Sequence, residues 1–131
     1  MRNVLLLALG IALGAMTASA VINALNARAA YARGVMQVMQ HQVGALRNRV
    51  RTNRCAAVDA QGEKALLAAL AEEIEPAVFA DSAPEPPFRE YAQDLREAVA
   101  ELPRAAADCA ALAPVVTKIV KACDACHRQY R

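Results

Sequence analysis

The sequence has no tryptophan, and its only aromatic residues are two Phe and three Tyr among 131 positions. β-Branched residues are also sparse, whereas runs of Ala, Leu, Glu and Arg are long, a balance that favours helix over sheet. No acid occurs from residue 21 to 54, where six Arg lie, and no charge occurs between Arg2 and Arg28. Residues 55–101 reverse the first imbalance with eleven acids against three bases, and residues 102–131 return to five bases against two acids. The net charge of +2 and the lack of aromatics interleaved with the basic stretches argue against a nucleic-acid partner. The segregation itself has two readings: charge complementarity between packed helices, or a basic patch that steers an acidic partner. No internal repeat is visible, and the length suits one domain.

The uncharged N-terminal stretch follows the order of a secretory signal: Met1-Arg2, an apolar run from Val4 to about Met16, then Ala18-Ser19-Ala20. Residues 1–20 are therefore read as a signal peptide, leaving residues 21–131 as the folded domain. The rival reading is an uncleaved membrane anchor, because the stretch is long enough to span a bilayer at roughly 20 residues. Either way the folded part faces an exported compartment, which in a bacterial cell is the periplasm.

Helical periodicity recurs four times after that. From Asn23 to about Arg51 there is no Pro, and Met36, Met39, Val43, Leu46 and Val50 mark one face of a long helix. Leu67, Leu70, Ala71 and Ile74 mark a second, expected to stop near Pro76. Phe79 to Pro87 contains three Pro and reads as a loop. Phe88, Tyr91, Leu95, Val99 and Leu102 mark a third helix closed by Pro103, and Leu112, Val116, Ile119, Cys123, Cys126 and Tyr130 mark a fourth. The fourth starts either at an Asp108 N-cap, with Pro114 in its second turn, or at Pro114 itself. Short connections between such helices predict an all-α, up-down-up-down antiparallel four-helix bundle.

The fourth helix carries the chemistry. In Cys123-Asp124-Ala125-Cys126-His127 the two thiols and the imidazole fall at three- and four-residue steps, hence on one helical face. Two thiols so placed can add to the two vinyl groups of a porphyrin edge while the His reaches the iron, and Cys-x-x-Cys-His is the haem-attachment pattern. The expectation is one covalently bound haem c, with Cys123 and Cys126 as its attachment points and His127 as an axial ligand. A thioredoxin-like dithiol would expect a βαβ context, and a zinc site would need a further ligand that neither His41 nor an unpaired Cys is placed to supply.

With its motif at the end of the last helix, the chain resembles cytochrome c′ and its class II relatives, whose final helix ends in Cys-x-x-Cys-His-x-x-Tyr-Arg; here these are Cys123, Cys126, His127, Tyr130 and Arg131. Tyr31 and Met39-x-x-x-Val43-Gly44 match the family's first helix, and in that register Met36 becomes the distal residue facing the iron. Ala32 stands where the family has Arg directly after the Tyr, with Arg33 one place late. The resemblance implies electron transfer or binding of diatomic gases (NO, CO) at the iron, no substrate turnover, an influence of Arg131 on the proximal imidazole, and a homodimer through the first helix.

Antiparallel packing would set Met36 and Met39 across from His127. Met36 or Met39 as a sixth ligand would give a low-spin electron carrier, whereas Met packing over an open iron would leave a five-coordinate, gas-binding state. His41 lies off that face. Cys55 is 19 residues beyond Met36 and Cys109 is 18 before His127, so both would sit roughly 27 to 29 Å from the haem at 1.5 Å per residue. They are either a disulfide or two free buried thiols. The functional alternative to the haem reading is an exported thiol-disulfide oxidoreductase using Cys123 and Cys126; the identity of a redox partner is not written in the sequence.

Overall fold

The structure is a computed structural model and describes residues 2–55, 60–102 and 108–130. Its described elements are α1 (Arg2–Arg51), α2 (Ala60–Val78), α3 (Pro86–Ala100) and α4 (Cys109–Gln129). They form an all-α four-helix bundle in which each helix packs on its chain neighbours and α1 closes the ring against α4.

Helix α1 begins well before the expected Asn23, because residues 1–51 contain no Pro to interrupt it. It ends in a well-formed stop. Asn53 takes φ 53°, the left-handed region that Asn tolerates better than most side chains. The turn lets Arg54 N–H bond Arg49 C=O at 2.9 Å and Asn53 N–H bond Val50 C=O at 3.2 Å, which satisfies two terminal carbonyls.

Helix α2 runs through Pro76 to Val78, two residues past the expected stop. A proline forfeits its own N–H bond but leaves later ones intact, and Phe79 N–H still reaches Glu75 C=O at 2.8 Å. Pro86 and Pro87 belong to the first turn of α3 rather than to the loop, since a first-turn N–H has no helical partner to lose. For α4 the Asp108 start is the one observed. Its carboxylate accepts from Ala111 N–H at 2.7 Å, and Pro114 lies inside the helix. Pro103 falls outside the described residues.

The core is built from the expected faces: Leu46 from α1, Leu67 from α2, Val99 from α3, and Leu112 and Ile119 from α4 are fully buried. Among the described side chains of α1 the first buried one is Val35, and Leu6, Ile11, Met16, Ile22 and Leu25 before it are exposed. Part of the charge segregation is met by ion pairs between elements. Arg49 of α1 meets Glu63 of α2, Arg96 of α3 meets Glu75 of α2 at 2.6 Å, and Lys118 of α4 meets Glu101 at 2.5 Å. Cys55 and Cys109 are joined as a disulfide, with Cα atoms 5.2 Å apart, tying the end of α1 to the start of α4.

Candidate functional site

Near the other end of the bundle, α1, α3 and α4 draw apart around a cavity of about 570 Å³, within the size range of cofactor sites. Cys123, Cys126 and His127 all line it from α4, as the spacing of the motif requires of one helical face. Both thiols are free and half-buried, and His127 sits at the exposed edge. Burial, together with the negative charge of Asp124, pushes the Cys123 thiol up to about 11, and burial also raises Cys126.

The facing wall comes from α1. Met36, Met39 and Val43 line the same cavity as His127, which follows from the antiparallel run of α1 and α4. The two methionines differ: Met39 is 3% exposed and part of the hydrophobic core, whereas Met36 is half-buried and packs against that core from the cavity side. His41 is exposed and lines a separate shallow groove with Gln37 and Ala45. Arg131 lies outside the described residues.

An aromatic group closes one end. Phe88 meets Phe79 at 4.7 Å and Tyr130 at 5.1 Å, and Tyr91 meets Tyr130 at 6.2 Å, all edge to face, the arrangement ring quadrupoles favour. Tyr91 donates to Gln129 at 3.1 Å, and Tyr130 donates to Glu85 in the α2–α3 loop at 3.2 Å. Desolvation first, then the Glu85 hydrogen bond, raises the Tyr130 pKa. Tyr31, on α1, donates to Glu73 of α2 at 2.6 Å, outside the cavity.

The opposite end of the cavity is marked by Arg47 and Val120, which also line an adjoining groove of about 330 Å³ with Arg51 and Lys121. Sequence reasoning did not single out Arg47, Asp124 or the Glu85 contact. Arg47 and Asp124 sit on helical faces that also look like ordinary solvated surface, and Glu85 meets Tyr130 only across 45 residues of chain.

The donor set fits a porphyrin held covalently: two thiols and an imidazole on one wall, and on the other thioethers and aliphatic groups with Gln40 and Arg47 beside them. Among the described residues no group of three or more His, Cys, Asp or Glu could hold a metal ion on its own. No curated protein and no solved structure matches the chain. Residues 72–131 match the family model described as Cytochrome C′. This stretch takes in the end of α2, all of α3 and α4, and the Cys-x-x-Cys-His string, so over its C-terminal part the chain is similar to the cytochrome c′ family of c-type haem proteins.

Proposed function

We propose that the chain holds one haem c through thioethers to Cys123 and Cys126, with His127 on the iron, and binds diatomic gases or passes single electrons in the periplasm. The observation that carries this reading is that both thiols and the imidazole line one cavity, with Met36 and Met39 on its facing wall. A bound haem would supply a redox-active iron able to take up a diatomic ligand. The chain's part is to present the His127 imidazole from α4 and to set Met36, Met39 and Val43 opposite it. Met39 is held in the core, and Met36 stands on the cavity side as the residue that sets how much room a diatomic ligand has. The reading therefore takes the resting iron as five-coordinate, with both methionines packing and neither ligating.

Export is supported by the apolar, exposed start of α1 and by the family, whose members are usually periplasmic. The thiol-disulfide reading is weakened by the all-helical surroundings of Cys123 and Cys126 and by a Cys123 thiol that stays protonated at neutral pH, the reverse of an activated redox thiol.

The test is optical. A pyridine haemochrome with a c-type α-band is expected from the purified protein, and its absence overturns the haem reading. A high-spin ferric spectrum, with carbon monoxide binding on reduction, is expected next. A low-spin form that ignores carbon monoxide moves the function to electron transfer with a Met ligand.

A further inference from the structure

We propose that Arg47 is the positioning residue for the haem, pairing its guanidinium with a propionate carboxylate at the end of the cavity opposite Tyr130. The inference rests on the haem reading above and goes beyond it by assigning an orientation and a partner to the anionic edge of the cofactor.

A haem brings two carboxylates into its site, and an anion taken out of water without a partner costs far more than one that is paired. Among the described residues lining the cavity, Arg47 is the only Arg or Lys and Asp124 the only carboxylate, His127 being assigned to the iron in the reading above. The neighbouring cations Arg49, Arg96 and Lys118 are each engaged with an acid. Arg47 takes part in none of the ion pairs or hydrogen bonds seen among the described residues.

Arg47 is exposed at the rim of the cavity, within reach of its interior. A helical side chain leans toward the N-terminus and covers the turn before it, which for Arg47 is the turn of Val43 and Gly44. Gly44 also lines the cavity, and a Cβ placed there would find no atom within 4 Å.

The cavity's two ends also differ in sign. Beside Arg47, the adjoining groove adds Arg51 and Lys121 with no acid among its lining residues. At the Tyr130 end the nearest charge bonded to the lining is the Glu85 carboxylate. A dianionic edge is drawn to the first and repelled by the second, and the planar fork of Arg matches a carboxylate in a way a single ammonium does not.

The experiment uses the full, haem-loaded protein, with R47Q and R47K as variants and R51Q as the control, since Arg51 lines only the adjoining groove. Pyridine haemochrome first measures haem content. Resonance Raman then reads the propionate bending bands, which respond to a hydrogen bond on the carboxylate and not to a remote surface charge. The expected result is a displaced band in R47Q and R47K, an unmoved band in R51Q, and a lower reduction potential in R47Q because a positive charge beside the iron site is gone. If R47Q does not retain haem, R47K carries the test. Bands in both Arg47 variants identical to wild type overturn the proposal, and so does an equal displacement in R51Q. Failure of the wild-type chain to carry haem would instead defeat the underlying haem reading.

Discussion

Met36 and Met39 sit three residues apart on one stripe, and the bundle gives them different work. Met39 is buried in the core and Met36 borders the cavity. Replacing Met39 by Ala should cost about 2 to 5 kcal/mol, the usual loss for emptying a buried site, read as a lower urea midpoint. Met36→Ala should leave the midpoint nearly unchanged and the ferric spectrum high-spin, while carbon monoxide rebinds faster after flash photolysis because the distal space is larger. A switch from low-spin to high-spin in Met36→Ala would instead identify Met36 as a ligand. The stripe itself was legible in the sequence. Which of its members faces the cavity was not, because Met36 and Met39 both satisfy the same helical spacing and only the crossing of α1 over α4 separates them.

At the scale of elements, helix existence was readable throughout and helix ends were not. The periodic runs around Leu67, Leu95 and Ile119 became α2, α3 and α4, but proline misled at two boundaries: Pro76 lies inside α2 and Pro86 opens α3. Proline excludes a donor, and a helix end is short of partners for its donors or acceptors anyway, so the residue marks a terminus only to within a turn. Capping was the better guide. Asp108→Ala should remove the bond to Ala111 N–H and cost about 1 kcal/mol of stability, measured by thermal or urea unfolding, with the haem spectrum unaltered because Asp108 lies far along α4 from His127. A variant as stable as wild type would mean that water or a neighbouring group caps α4 equally well.

For the whole molecule, the Cys55–Cys109 bridge and the Cys-x-x-Cys-His string lie toward opposite ends of the same α1–α4 pair. The bridge closes a chain segment 54 residues long, and on the unfolded-chain argument it contributes about 2 to 4 kcal/mol. Alkylation of the haem-loaded protein without reductant should label neither Cys55 nor Cys109. Mild reduction should lower the unfolding midpoint while leaving the haem absorption in place, since thioether bonds are not reduced with disulfides. Two labelled cysteines before reduction would show the bridge to be absent in the isolated protein. The exposed apolar start of α1 belongs to this scale as well. Intact mass of the exported protein is expected to correspond to a chain beginning at Val21 with one haem added. A full-length mass in the membrane fraction would show the same segment acting as an anchor.

Local chemistry and period were enough to read an all-α bundle with a haem-attachment string on its last helix, because thiol and imidazole spacing on a helix is a property of the chain alone. That Arg49 of the basic first helix meets Glu63 of the acidic second was one of two readings of the charge pattern, and the fold brings that pair together. The facing wall of the cavity, the Tyr130–Glu85 contact and the unpaired Arg47 at the cavity's far end were decided only by tertiary structure. Each depends on which helix crosses which and at what height, and many distant contacts set that together where no single segment can.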